Sequence, residues 1–299
     1  PDCEAAGSEE AARRRKQWWS APAAALSLLL MLLGVLGPLE SAEQKPLKEQ
    51  IPLKPVQLSA AGPKVQVKVY GMSGCPFTRA FIEGPLSEAL ATVPELLDLH
   101  FYPFGNSFYT TEACGGTAAG MPFASYFQGY NASARKCWDQ RCGRAAKEPS
   151  PGCYSGDLVC QHGVTDCMVT TAWACAKSMA GGEASGYMPF VQCTAQRFLG
   201  ATSQATFRQL VERCAGASGL DGPKVIECAS GEHGRMLFNA QGRETVTHAG
   251  VPYVLVEGQE LEDTNCAACG DGIMQKVCEV ARQKTGTDTP VCKGIFGEI

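Results

Sequence analysis

Cys75 stands in the run Gly71-Met72-Ser73-Gly74-Cys75-Pro76-Phe77-Thr78, between a stretch that alternates valine with polar residues and one with helical periodicity. A cysteine at such a junction meets unpaired backbone N–H groups and the positive end of a helix dipole, and both favour an anion. Thiolate rather than thiol is the sulfur nucleophile, so the position points to disulfide exchange. Pro76 suits a first helical turn, because its missing N–H has no intrahelical partner to lose. The glycines ahead of the cysteine imply an open approach to it. The competing reading of the same residue is a buried disulfide partner. A dithiol motif would place a second cysteine three positions on, where this chain has Thr78. Its hydroxyl can steady a Cys75 thiolate but cannot attack a mixed disulfide, so turnover needs another thiol.

A true Cys-x-x-Cys does occur, at Cys266-Ala267-Ala268-Cys269. Three readings compete for it. It is a local structural disulfide, a displaced resolving pair that reaches Cys75, or, with Cys278 and Cys292, a four-thiolate metal site. The site set expected from sequence contains no metal.

The chain has 299 residues, 16 cysteines, 4 histidines and a formal net charge of −4. One cysteine in about nineteen residues points to an oxidising compartment. Apolar residues at 45% and charged residues at 19% fit a folded globule rather than a disordered chain. The mild acidity gives no electrostatic basis for gripping nucleic acid or an anionic membrane. Residues 13–16 are basic, and residues 23–36 are apolar apart from Ser27 and Gly34. That is a secretory signal pattern, expected to end between Gly37 and Ala42, with an uncleaved signal-anchor as its rival. No membrane association is expected after cleavage. Removing residues 1–42 leaves 257 residues, fifteen cysteines and a charge of −3. Asn131-Ala132-Ser133 is a glycosylation sequon, in keeping with a secretory route.

The elements that must position Cys75 follow from periodicity. Residues 43–63 read as a polar tether. Residues 64–70 and 97–103 alternate as strands. Between them Phe77, Phe81, Ile82, Leu86, Ala89 and Leu90 share one helical face, with Gly84-Pro85 kinking the helix rather than ending it. The three make a βαβ unit. Residues 105–157 show no clean period and read as a stapled loop region holding Cys114, Cys137, Cys142 and Cys153. Residues 159–239 read as helical, residues 251–256 as a strand and residues 273–282 as a closing helix.

A longer motif runs Cys160-Gln161-His162-Gly163-Val164-Thr165-Asp166-Cys167-Met168-Val169-Thr170-Thr171-Ala172-Trp173-Ala174-Cys175. It resembles the signature C-Q-H-G-x-x-E-C-x-x-N-x-x-x-x-C of the gamma-interferon-inducible lysosomal thiol reductase (GILT) family. Asp166 stands where the signature has Glu, and Thr170 where it has Asn. Tyr102-Pro103-Phe104-Gly105-Asn106, Ile226-Glu227-Cys228, Val251-Pro252-Tyr253-Val254, Leu261-Glu262-Asp263 and Pro290-Val291-Cys292 agree in order. The likeness spans about residues 65–292, with an enlarged insert between Ser107 and Asp157. It implies an α/β, thioredoxin-like fold over residues 64–299 with a long helical, disulfide-rich insertion at about 107–245. It implies that Pro252 is a cis proline facing Cys75, and that the chain reduces protein disulfides in acidic endocytic compartments. Structural disulfides are expected among Cys160, Cys167, Cys175, Cys193, Cys214, Cys228, Cys278 and Cys292. His162, inside the signature, is read as structural rather than as a general base, since low working pH would protonate it.

The expected catalytic set is therefore Cys75 as nucleophile, Thr78 as thiolate stabiliser and Pro252 as the facing proline. The resolving thiol is external or belongs to Cys266 and Cys269. No cofactor is expected beyond a low-molecular-weight thiol such as glutathione or cysteine, and the partners are disulfide-containing proteins. The rival reading is a catalytically degenerate, disulfide-stapled binding protein on the same fold, located in the lumen of the secretory and endocytic route or outside the cell.

Overall fold

The computed structural model describes residues 64–111, 114, 132–143, 151–201, 203–261 and 270–296. The signal and tether expected over residues 1–63, the sequon asparagine Asn131, and Cys266 and Cys269 lie outside the described residues.

Strand β1 (Val65–Gly71) buries Val65, Val67 and Val69 and turns Gln66 and Lys68 outward, as its period-two pattern demands. It pairs in parallel with β2 (Leu97–Pro103), whose Leu97, Leu99 and Phe101 point the same way. Parallel neighbours need a crossover, here the continuous helical run α1 (Pro76–Phe81), a π-helical turn (Ile82–Leu86) and α2 (Ser87–Thr92). The widened turn carries Gly84 and Pro85, and it absorbs a proline that lacks a donor and would crowd an ordinary turn. The helix thus continues through Gly84-Pro85.

On the other side β1 pairs antiparallel with β5 (Tyr253–Val256), which pairs with β6 (Gln259–Glu260), so the sheet order is β2-β1-β5-β6. The β5–β6 hairpin turns at Glu257 and Gly258, both with positive φ, the geometry of a tight two-residue hairpin loop. Glu257 is held there by its carboxylate, which accepts from the Gln66 N–H at 2.7 Å and from Lys284 Nζ at 2.6 Å.

Between β2 and β5 lies the insertion. Its long helices are α4 (Val164–Met179), α5 (Ala184–Arg197), α6 (Gln204–Ala217), α7 (Gly222–Ser230) and α8 (Glu232–Glu244). Each has a chemical start signal or a partner that fixes it. Ser203 and Thr206 form a capping box for α6, and the Asp221 carboxylate caps α7 through the Lys224 N–H. Helix α4 carries the junction with the sheet. Trp173 packs edge-on against Phe101 at 5.6 Å and donates from Nε1 to Thr194 Oγ1 at 2.7 Å. Lys177 Nζ donates to the Phe101 carbonyl at 2.7 Å, and burial lowers its pKa to about 8. The chain closes with α9 (Gly270–Thr285) and α10 (Pro290–Phe296).

The described residues of 105–157 include regular elements: helix α3 (Ala132–Cys142) and strand β3 (Phe108–Tyr109), which pairs with β4 (Leu158–Val159) just beyond. They enclose a second core of Phe104, Phe108, Tyr109, Trp138, Tyr154 and Phe238. The helix escapes a periodicity reading because its face is mostly charged. Trp138 and Cys142 are its only large buried apolar side chains among the described residues, and an Arg135–Asp139 pair runs along it.

Six disulfides tie the described elements: Cys114–Cys137, Cys142–Cys153, Cys160–Cys167, Cys175–Cys228, Cys193–Cys214 and Cys278–Cys292. The last pairing overturns the four-thiolate metal reading, since two of its ligands are bonded to each other. Among the described residues no group of histidines, cysteines and carboxylates is arranged to hold a metal ion. No described helix is long and apolar enough to cross a membrane. Cys175–Cys228 closes a separation of 53 residues, so the double substitution Cys175→Ala/Cys228→Ala is expected to lower stability by about 4 kcal/mol in urea unfolding.

Candidate active site

The strand-to-helix junction after β1 delivers Cys75 as the N-cap of α1, with Pro76 in the first turn. The facing element is the approach to β5, where the Val251–Pro252 peptide bond is cis. Cys75 Sγ donates a hydrogen bond to the Val251 carbonyl at 3.2 Å. Cys75 is also the one described cysteine outside a disulfide, and it is 0% exposed. The open approach implied by its glycines is therefore absent. Gly74 answers to a different constraint. A Cβ there would lie 2.6 Å from Asp166 Cγ and would run into His162 Cβ, so glycine lets the loop press against the start of α4.

That contact is a clamp built on Asp166, itself fully buried. Its Oδ1 accepts from the Gly74 N–H at 2.6 Å and from Thr170 Oγ1 at 3.0 Å, and Oδ2 accepts from the His162 N–H at 3.3 Å. Ser73 Oγ lies 3.0 Å from Asp166 Oδ1, and the Ser73 N–H donates to Thr170 Oγ1 at 3.0 Å. The carboxylate sits in the first turn of α4, where the helix dipole favours negative charge. Gly163, with φ of 84°, makes the turn into that helix.

The sequence of this clamp is the stretch that a known family marks. The sequence model of the family described as gamma interferon inducible lysosomal thiol reductase (GILT) matches residues 66–119 and 142–218. Over those residues the chain is similar to the GILT family. No curated protein matches it in sequence. Its α/β architecture, with a helical, disulfide-rich insertion between β2 and β5, is the thioredoxin-like arrangement read from the motif. The two places where the chain departs from the signature, Asp166 and Thr170, touch each other and both hold Ser73. They were noted in sequence only as departures; their pairing is a structural fact.

Three further side chains surround Cys75. Thr78 is fully buried, and its Oγ1 has no hydrogen-bond partner. The expected Thr78–Cys75 hydrogen bond is therefore not made with the thiol in place. Thr78 is instead packed beneath Gly71, whose Cβ would lie 2.6 Å from Thr78 Cγ2. Arg79 was missed in the sequence reading. It reaches back along α1, and its Nη1 donates to the Gly74 carbonyl at 2.9 Å and the Ser73 carbonyl at 3.3 Å. The guanidinium also lies over the Phe198 ring at 4.9 Å. Burial lowers the Arg79 pKa, while the neighbouring Cys75 position, Glu83 and Asp166 push the other way. His162 Nε2 is buried without a partner, and burial holds its pKa below the usual histidine value.

The signature disulfide Cys160–Cys167 lies in the same buried cluster as Cys75, together with Met72 and Val251. With seven residues of separation it closes the shortest loop among the described bridges, a stabilisation of about 2 kcal/mol. The Ser107 hydroxyl, fully buried, donates to Cys160 Sγ at 3.4 Å. The remaining cysteines expected as staples, Cys175, Cys193, Cys214, Cys228, Cys278 and Cys292, are bridged elsewhere in the helical region.

A polar network joins this end of the signature to the cis-proline segment. Asn106 donates from Nδ2 to Gln161 Oε1 at 2.6 Å, and its Oδ1 accepts from Arg135 Nη1 at 3.1 Å. His248 is buried, with Nδ1 2.7 Å from the Val246 carbonyl and Nε2 3.1 Å from Asn106 Oδ1. Burial, aided by the Arg135 charge, pushes its pKa down to about 4.

Two outcomes are expected. Asp166→Asn removes the charged acceptor from a clamp of several donors, and it should lower stability by about 2 kcal/mol in urea unfolding while speeding Cys75 alkylation. His248 is held neutral, so the unfolded chain binds the extra proton between pH 6.5 and 4. The stability it contributes is complete above pH 6.5 and is lost as pH falls through about 4. The melting temperature should fall across that window, and His248→Gln should flatten the fall.

Proposed function

We propose that the chain is a thiol–disulfide oxidoreductase in which Cys75 attacks disulfides of protein substrates. The reading is carried by Cys75 at a helix start, facing the Val251 carbonyl of a cis Val251–Pro252 bond. Similarity to a family described as thiol reductases supports it. The Cys75 thiolate attacks one substrate sulfur, a mixed disulfide forms, and the other substrate sulfur leaves as a thiolate that takes a proton from water. The helix N-terminus and the Arg79 guanidinium offset the charge on the attacking sulfur, and the partnerless Thr78 hydroxyl is a donor within the same turn. A second thiol then attacks the mixed disulfide and returns Cys75, and a low-molecular-weight thiol of the glutathione or cysteine class supplies the reducing equivalents. The many bridges and the family description support a lumenal compartment of the secretory and endocytic route.

The rival, a disulfide-stapled binding protein on the same fold, is favoured by one observation, the complete burial of Cys75. Kinetics separates the two. Cys75→Ser should abolish insulin-disulfide reduction in glutathione, and Thr78→Cys should raise it at least tenfold by supplying a resolving thiol. A Cys75 that resists alkylation at mildly acidic pH, with activity unchanged in Cys75→Ser, makes the binding reading the correct one.

A further inference from the structure

The missing resolving cysteine at position 78 leaves a mixed disulfide with no partner on its own helix. The Cys160–Cys167 bridge shares a small buried cluster with Cys75, Met72 and Val251. We propose that Cys160 and Cys167 are the internal resolving pair, a redox-active dithiol rather than a staple. The proposal rests on the reading of Cys75 as nucleophile and names the group that completes its turnover.

Three observations set this bridge apart. It lies beside the one described cysteine that is not already bonded to another. It closes the shortest loop of the six, so opening it releases the least chain freedom. The buried Ser107 hydroxyl donates to Cys160 Sγ at 3.4 Å, a contact that strengthens when that sulfur carries charge. Ser107 thereby marks Cys160 as the sulfur that holds the thiolate and Cys167 as the one that exchanges with Cys75. Complete burial of Cys75 is no obstacle to this step, because both reacting sulfurs are inside.

The sequence balances. With the pair reduced, Cys75 thiolate attacks the substrate and forms Cys75–S–S–R, releasing the first product thiol. Cys167 thiolate attacks Cys75 Sγ and expels R–S⁻, which is protonated to the second product thiol, leaving a Cys75–Cys167 bond. Cys160 thiolate then attacks Cys167 Sγ and expels Cys75 thiolate, which restores the bridge seen here. One substrate disulfide is reduced and one dithiol is oxidised. Two equivalents of a low-molecular-weight thiol reopen Cys160–Cys167 and leave as its own disulfide.

The test is a single turnover of the full chain. The protein is partly reduced with glutathione, freed of it, and mixed with a peptide disulfide carrying a fluorophore on each half. Differential alkylation and mass spectrometry then read every cysteine. Wild type should release both labelled halves with no added thiol, and Cys160 and Cys167 should pass from alkylated to bridged. Cys160→Ser/Cys167→Ser should release one half and keep the other on Cys75. Ser107→Ala should slow the closing of Cys160–Cys167 and the return of unbound Cys75 about tenfold, the effect of losing one hydrogen bond to a charged sulfur. If the double variant does not fold, the wild-type alkylation pattern and Ser107→Ala still decide. A wild-type chain that holds one half on Cys75 until glutathione is added, with Cys160–Cys167 bonded throughout, overturns the proposal and leaves the Cys75 reading standing. A chain on which no peptide ever joins Cys75 overturns both.

Discussion

Everything at this site depends on one buried carboxylate. Asp166 has no solvent to share its charge with, so its stability rests on the donors packed around it. Those donors are the Gly74 N–H and the Ser73 hydroxyl from the loop before Cys75, and Thr170 and the His162 N–H from the start of α4. A charge that must be satisfied on two sides fixes the distance between two elements 92 residues apart in sequence. The position of Cys75, the close approach that only Gly74 allows, and the placement of Cys160–Cys167 in the same cluster follow from that closure.

The sheet and its crossover were legible because they rest on local pattern. Val65, Val67 and Val69 alternate, and one apolar face continues across Gly84-Pro85, so strand, helix and strand could be read in order. Helix α3 was not legible, because a charged helix held by Trp138 and two disulfides has no apolar stripe to show. The cysteine at the helix start could be read from its neighbours. Its burial could not, since that is set by Val251 and by the bridge at Cys160 and Cys167, all distant in sequence. Arg79 gave no signal at all. An arginine on a helix surface ordinarily points to water, and only the fold turns this one onto the carbonyls of Ser73 and Gly74.

The departures from the family signature gain meaning from the same geometry. A glutamate is one methylene longer than Asp166, and asparagine presents an amide where Thr170 presents a hydroxyl. Here the shorter acid and the hydroxyl meet at 3.0 Å and share Ser73 between them. Two changes that look independent along the chain act as one in space. The threonine at position 78 belongs to a different class, because it presents a hydroxyl where a dithiol motif has a sulfur, and the proposed reaction then needs another thiol to complete it.

The hydrogen bond from Cys75 to the Val251 carbonyl couples chemistry to access. While the sulfur holds its proton, that contact draws the cis-proline segment down over it. Once the proton leaves, a negative sulfur faces a carbonyl oxygen across 3.2 Å, and attraction turns to repulsion. On the proposed reading of Cys75 as nucleophile, the event that arms the sulfur also loosens its cover, and the thiol proton works as a latch.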